Sequence, residues 1–248
     1  YKGYNGSNGQ DIFVRETSYK KDGNEFVGSG KQRAELFKES KNKVLETCID
    51  VRVFGGVLPI EKNTFTFTGP SQFQMGKSLH MVEIIEEQGT SKFASTEGKG
   101  RSTFRTEFKI PYGVIGFNGI INEKAAQYTQ MTEEDKTLLL DGIWNGTKNL
   151  ISRSKFGQAP LLLLVIDYKE PFYIGGLRQR INLVSEKNDL QIRGVEDFAL
   201  DISKLKFLVQ ESSNKIDKIS IQIDSRLKIT EGDKIVNWTN RTYKPNEL

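Results

Sequence analysis

The chain contains a single cysteine and a single histidine among its 248 residues. Cys48 alone can form neither an internal disulfide nor a multi-cysteine zinc site, and it is typical of a reducing cytosol. His80 is the one possible histidine base, and its isolation excludes most histidine-based metal sites. No run of about eighteen apolar residues occurs, so we expect no membrane-spanning segment. We therefore expect a cytoplasmic protein with no metal, no cofactor and no membrane partner.

Composition indicates a folded chain, and its net charge is only slightly positive. Charged residues make up 27% and hydrophobic residues 36% of the sequence, which is typical of a globular protein. The net charge of +4 is too small to indicate a partner, so the distribution of charge matters more. The P-loop, the dinucleotide-binding fingerprint and the Gly-x-Ser-x-Gly elbow are absent, and the carboxylates show no metal-ligand spacing.

The hydrophobic pattern predicts both helices and strands in one α+β domain. Apolar spacing predicts a helix at 31–46, and a capping box at 132–135 predicts the start of another. Alternation predicts half-buried strands at 49–54 and 64–68. The unbroken apolar run 161–166 predicts a strand buried on both faces of a sheet. Further β-rich segments are 79–85, 108–121, 172–174, 180–184, 206–209, 219–223 and 227–229.

A loop rich in hydrogen-bond donors precedes the run at 161–166. It contains two cations, two hydroxyls, an amide and a glycine, and a rigid strand would hold these donors in place for an anion. On composition alone, a solvated loop fits equally well. The loop consists of Ser152, Arg153, Ser154, Lys155, Phe156, Gly157 and Gln158.

The polar stretch 86–106 is long for a loop in a compact domain. Five cations and two anions lie between Ser91 and Lys109, with phenylalanines interleaved among them. This pattern suits a single nucleic-acid strand, because cations bind phosphates and aromatic rings stack on bases. A surface hairpin without a special role fits the stretch at least as well. The cations are Lys92, Lys99, Arg101, Arg105 and Lys109.

Five sequence blocks occur in a fixed order and are more specific together than separately. The blocks are CIDVRVFGG (48–56), TGPSQF (68–73) with SLH (78–80), IPYGV (110–114), MTEED (131–135) and SRSKFGQ (152–158). Together they resemble the multi-copy backbone subunit of a type I CRISPR Cascade surveillance complex, close to the I-B branch, in the RAMP superfamily. The resemblance covers roughly residues 48–168.

The resemblance implies a particular fold for the whole chain. It implies a modified RNA-recognition-motif (ferredoxin-like) palm, spanning residues 1–248 as a single domain with β-rich insertions. The stretch 86–106 is then an inserted thumb hairpin. The family's opening strand and basic helix are not found in the sequence, and we expect that they precede Tyr1.

The resemblance also implies a non-catalytic function in antiviral defence. Copies of such a subunit polymerise along a CRISPR RNA, and each thumb displaces one guide base so that the intervening segments pair with a target DNA strand. The implied partners are the CRISPR RNA, target DNA, further copies of the chain and other Cascade subunits. A filament that accepts any guide must bind phosphate and ribose, because base pairing reads the sequence.

Candidate RNA-binding residues follow from the resemblance by position. The palm surface beside the guide is expected to contain Gly55, Gly56, Gln72, Phe73, Gln74, Lys77, Ser78 and His80. The thumb is expected to contribute Arg101 and Arg105, with Phe93 or Phe104 as the wedge that holds the displaced base. The donor-rich loop is expected to bind the guide backbone through Ser152, Arg153, Ser154, Lys155 and Gln158.

Two other functions remain open on the sequence alone. One is an endoribonuclease of related fold, which would cut precursor or target RNA with His80 or a carboxylate such as Asp50. The other is a structural assembly protein that binds no nucleic acid. Cleavage of labelled RNA would indicate the first, and absence of co-purifying RNA would indicate the second.

Overall fold

The computed structural model describes residues 11–13, 17–21, 24–28, 30–35, 37–38, 40–60, 64–91, 103–152 and 155–248. Helices and short strands are mixed throughout, which confirms the predicted α+β class. The helices are α1 (Gly30–Glu35), α2 (Lys41–Thr47), α3 (Ile49–Phe54), α4 (Glu123–Thr129), α5 (Glu133–Lys148) and α6 (Ser203–Glu211).

The strands are short and, among the residues that the structure describes, form seven small sheets. In the first half of the chain they are β1 (Thr17–Lys21), β2 (Asn24–Gly28), β3 (Gly55–Leu58), β4 (Phe65–Thr68), β5 (Ser71–Phe73), β6 (Lys77–Ser78), β7 (Ile85–Ser91), β8 (Thr103–Lys109), β9 (Ile115–Gly116) and β10 (Gly119–Ile121). In the second half they are β11 (Leu162–Tyr168), β12 (Asn182–Val184), β13 (Ala199–Asp201), β14 (Ile216–Ile223), β15 (Lys228–Glu231), β16 (Lys234–Val236) and β17 (Arg241–Tyr243).

The chain divides into two compact units, each built from two separate stretches. Unit 1 comprises Tyr1–Gln74 and Gly119–Ala159, and unit 2 comprises Met75–Asn118 and Pro160–Leu248. The sequence-based expectation of a single RNA-recognition-like domain stays a prediction.

Unit 1 has its own hydrophobic core between its first helices and the antiparallel pair β3–β4. Ser40 caps α2, because its side chain accepts a hydrogen bond from the Lys43 backbone N–H. The single helix predicted at 31–46 is therefore wrong, since α1 ends at Glu35 and α2 begins at Lys41. The core side chains are Ala34, Phe37, Val44, Leu45, Cys48, Val51, Leu58 and Phe67.

The segment 49–54 is helix α3 and not the predicted strand. Its alternating valines suggested one buried face, but Val51, Arg52 and Val53 are consecutive and all buried. A helix buried on more than one side allows this, whereas a strand with one solvent face does not.

Helix α5 begins at the predicted capping box. Thr132 accepts from the Asp135 backbone N–H, and the Asp135 carboxylate accepts from the Thr132 backbone N–H. Trp144 is buried, as a core residue of this helix should be.

Unit 2 is built around a three-stranded sheet, β11-β14-β17, and a four-stranded sheet, β12-β13-β15-β16. Strands β13 and β15 are parallel, and the other pairings in these two sheets are antiparallel. Helix α6 buries Leu205 and Val209 in the core. The residues 206–209, predicted as β-rich, therefore belong to a helix whose buried positions are four residues apart.

The apolar run at 161–166 forms most of strand β11, but it is not buried on both faces. All residues of β11 are half-buried, and among the described strands β14 alone pairs with it, at one edge of the sheet β11-β14-β17. The strands predicted near 64–68, 219–223 and 227–229 are confirmed as β4, β14 and β15. The segment 172–174 is not a strand, and in 79–85 strand structure begins only at Ile85.

Candidate nucleic-acid interface

Strand β5 in unit 1 presents an amide and an aromatic ring to solvent. Gln72, Phe73 and Gln74 are exposed, and the Gln72 Nε2 donates to the Gly69 carbonyl at 3.0 Å. Phe73 pairs with Gly119 on β10, and a Cβ on Gly119 would lie 2.6 Å from the ring of Phe73. The missing side chain of Gly119 therefore lets the ring lie against the strand, where it is still 48% exposed.

Gly55 and Gly69 permit a close approach of two backbone segments at the start of hairpin β3–β4. Gly55 has φ +73°, and a Cβ there would lie 2.3 Å from the Phe67 carbonyl oxygen. A Cβ on Gly69 would meet the carbonyl carbon of Phe54 at 2.0 Å. Gly56, by contrast, has open space beside it. The structure thus gives Gly55 a structural reason to be glycine and leaves the surface of Gly56 accessible.

In unit 2 the short ladder β6–β9 carries Lys77 and Ser78. Lys77 is exposed, and its ammonium forms no ion pair among the described residues. The Ser78 hydroxyl donates to the His80 carbonyl at 2.6 Å, so it stabilises the turn that follows the strand. Of these two residues, Lys77 is the one whose side chain is available to an anion.

His80 is buried, and both of its ring nitrogens contact backbone groups. The Val114 N–H donates to Nε2 at 3.3 Å, so Nε2 carries no proton. The neutral ring then carries its proton on Nδ1, which donates to the Met81 carbonyl at 2.8 Å. This arrangement is that of a structural histidine, and it leaves neither nitrogen available as a general base.

Asp50, the other residue considered for RNA cleavage, is also engaged by backbone groups. Its Oδ1 accepts from the Phe13 N–H at 2.8 Å and from the Val51 N–H at 3.0 Å. The carboxylate lies in the first turn of α3, where the helix dipole favours a negative charge. Within the described residues, no group of three or more His, Cys, Asp and Glu side chains could hold a metal ion.

The stretch 86–106, predicted as a thumb, contains most of β7 and the first part of β8. These strands form an antiparallel pair, with Ile85 opposite Lys109 and Ser91 opposite Thr103. Arg105 pairs with Glu107 at 3.0 Å, and Lys109 pairs with Glu87. The cations on this ladder are therefore matched by carboxylates. Phe93 and Arg101 lie outside the described residues, and Phe104 is placed only by its backbone pairing with Thr90.

The donor-rich loop of unit 1 is fully exposed where the structure describes it. The Ser152 carbonyl accepts from the backbone N–H groups of Lys155 and Phe156, at 3.2 and 3.0 Å. Gly157 follows with φ +89°. Lys155 and Gln158 are exposed, while Arg153 and Ser154 lie outside the described residues. Sequence reasoning gave no role to Phe156, yet it is 81% exposed beside these donors.

Comparison with known proteins identifies the family. The model of the family described as CRISPR-associated protein Cas7 matches residues 2–203. The chain belongs to the Cas7 family. The resemblance drawn from the five sequence blocks is confirmed at the family level.

One curated relative and one solved structure differ in how much they share with this Cas7 chain. The CRISPR-associated protein Cas7 of Haloferax volcanii is 30% identical over 213 residues, which cover 77% of this chain and 62% of that protein. The chain thus spans less than two thirds of its relative's length. A chain of a solved CRISPR RNA-guided surveillance complex, pre-nicking, aligns over 91% of this chain and 71% of its own, with 10% identity and a TM-score of 0.43. None of the described helices is long and apolar enough to cross a membrane.

Proposed function

We propose that this chain is a non-catalytic backbone subunit that binds CRISPR RNA and presents it for pairing with target DNA. Membership of the Cas7 family is the observation that carries the proposal. The structure supports it through side chains that are exposed and can contact a polyanion. These are Gln72, Phe73, Gln74, Lys77, Lys155 and Gln158.

The proposed contacts are to the sugar-phosphate backbone of the guide. Lys77 and Lys155 would bind phosphates, and the amides of Gln72 and Gln158 would fix the register of the strand. Phe73 and Phe156 offer exposed rings on which a base can stack regardless of its identity. None of these groups needs to read a base edge, so the subunit would accept guides of any sequence.

The assembly that we propose follows the family resemblance. The hairpin that contains β7, β8 and the segment between them would act as the thumb on an RNA-recognition-like palm. Copies of the chain would line the guide as a filament in the cytoplasm, together with other Cascade subunits. His80 and Gly55 would maintain the palm and would not contact RNA, because their surroundings are filled by the protein itself.

The proposal is tested by equilibrium binding of labelled single-stranded RNAs of unrelated sequence to the purified chain. We expect similar affinities for all sequences and an affinity that falls steeply with salt, because binding neutralises phosphates. Freshly purified protein should also show a raised 260/280 absorbance ratio from bound RNA. Sequence-specific binding, or a protein free of RNA that binds none when it is added, would overturn the proposal.

A further inference from the structure

Ladder β6–β9 of unit 2 has one face on which an arginine replaces a missing side chain. Lys77 is directly opposite Gly116, so both residues belong to the same face of the ladder. A Cβ on Gly116 would lie 2.9 Å from both Cγ and Cδ of Arg178. The aliphatic part of Arg178 therefore occupies the position where a side chain of residue 116 would lie.

Hydrogen bonds fix the backbone around Arg178. Gly176 has φ +70°, and it starts the 3₁₀ turn Arg178–Arg180, in which the Gln179 N–H donates to the Gly176 carbonyl at 3.1 Å. The Arg178 N–H donates to Oδ1 of Asn118 at 3.1 Å. The aliphatic stem is thus fixed on Gly116, while the guanidinium makes no hydrogen bond to the described residues.

Two cations consequently lie side by side without a compensating carboxylate. Directly paired residues of an antiparallel ladder have Cβ atoms about 5 Å apart, which places the Lys77 stem beside the Arg178 stem. Neither side chain forms an ion pair with a described Asp or Glu. Adjacent like charges repel each other, and an anion bound between them would remove that repulsion.

We propose that Lys77 and Arg178 together bind one phosphate group of the RNA backbone, an inference that rests on the proposed function. Arginine suits this site because its planar fork can donate two hydrogen bonds to one phosphate, and the fixed stem limits the conformational entropy lost on binding. Arg180, in the same 3₁₀ turn, donates from Nη1 to the Gly176 carbonyl at 3.5 Å, so the site proposed here consists of Lys77 and Arg178 alone. Sequence patterns could not indicate this site, because Gly116 and Arg178 are far apart in the chain.

The test compares the double variant Lys77→Gln with Arg178→Gln against the charge-matched control Lys228→Gln with Lys234→Gln. Glutamine keeps part of each stem, so the packing of residue 178 on Gly116 is largely retained, and both control lysines are exposed in unit 2. Binding of a labelled mixed-sequence RNA is measured at several salt concentrations. We expect the affinity of the site variant to fall on the order of tenfold below that of the control. The log-log salt slope should become shallower by about 0.7, the value for one phosphate contact in single strands.

The outcomes distinguish failure of the Lys77–Arg178 site from failure of the proposed RNA-binding function. RNA binding by the wild type, with equal affinities for both double variants, would overturn the site and leave the proposed function intact. A wild type that binds no RNA would overturn the function itself. Thermal unfolding with added inorganic phosphate completes the test. A phosphate-dependent rise in Tm that needs both residues, together with unchanged RNA binding, would mean that the site takes free phosphate and would overturn the RNA assignment.

Discussion

Arg52 and Asp135 form a buried ion pair with two contacts, Nε to Oδ2 at 2.8 Å and Nη2 to Oδ1 at 2.7 Å. The Arg52 Nη1 also donates to the Leu45 carbonyl at 2.6 Å. Burial by itself raises the pKa of Asp135, but hydrogen bonds from Arg52 and Thr132 outweigh it and hold the pKa below its ordinary value. One carboxylate therefore caps helix α5 and fixes helix α3 beside it.

Replacing Asp135 with Asn should destabilise the protein strongly. The change leaves the Arg52 charge buried without its partner, and loss of one member of such a pair costs about 3–5 kcal/mol. Urea denaturation followed by circular dichroism would measure the change in the free energy of unfolding. Glu133→Gln is the matched control, because Glu133 is in the same first turn but its side chain is 92% exposed. A loss from Asp135→Asn no larger than that of the control would contradict the role of the pair.

Cys48 should be unreactive in the folded protein and should destabilise it at alkaline pH. Burial, followed by the nearby charge of Asp50, raises the pKa of the Cys48 thiol from 9.0 to about 12. At pH 8 the thiolate population, and with it the rate of labelling by iodoacetamide, should be on the order of a thousandfold below that of the urea-unfolded chain. Because the folded pKa is raised, this contribution to stability is complete below pH 9.0 and is lost progressively as pH rises towards 12.

The control for Cys48 is Cys48→Ala. Its free energy of unfolding should fall less than that of the wild type as the pH rises above 9.0, because the variant has no thiol to ionise. Because the chain has one cysteine, labelling reports on a single position in the core of unit 1. Rapid labelling of the folded wild type at pH 8 would show that the thiol is not buried as the structure has it.

His80→Ala should reduce stability without changing any cleavage of RNA. The substitution removes the acceptor of the Val114 N–H, and an unsatisfied buried donor costs about 1–3 kcal/mol. Urea denaturation measures the stability, and gel analysis of labelled RNA with and without divalent cations measures cleavage. Asp50→Asn is the companion variant, since it retains an oxygen for the N–H groups of Phe13 and Val51. RNA cleavage by the wild type that either variant abolishes would refute a non-catalytic subunit.

Arg153→Ala combined with Lys155→Ala should weaken RNA binding and leave the fold intact. If each cation binds its own phosphate, the salt slope should become shallower by about 1.4, which is about 0.7 for each contact. The comparison is Lys43→Ala with Lys124→Ala, which removes two exposed lysines from helices of the same unit. Equal RNA affinities for these two double variants, measured by fluorescence anisotropy, would show that the loop is only a solvated connection.

Local signals predicted the elements whose stabilising contacts are close in sequence. Helix α5 begins where Thr132 and Asp135 cap each other, three residues apart, and strand β4 follows the alternation of its own side chains. Helix α3 could not be predicted this way, because it is stabilised by the contact of Arg52 with Asp135 across 83 residues. Tertiary contacts of this kind override local propensity.

The candidate RNA-binding residues likewise fall into those that the sequence could indicate and those that only the folded structure reveals. Exposed residues on sequence-local turns and strands, such as Gln72 and Lys155, could be selected from their blocks. The hydrogen bond between the Val114 N–H and His80 could not be predicted from the sequence, because the two residues are 34 positions apart. Arg178 could not be predicted either, because only the folded chain brings its aliphatic stem to the position that a side chain at residue 116 would occupy.

The register of β7–β8 limits how the hairpin can change in length. Glu87 is opposite Glu107, while Glu86 is opposite Phe108, so Phe108 and the Glu107 carboxylate belong to different faces. Inserting one residue in a strand would exchange the two faces beyond the insertion, so that residues beyond it would leave the face that Glu87, Glu107 and Lys109 share. Inserting two residues would preserve them. Homologous hairpins that keep this charged face should therefore differ in strand length by even numbers of residues.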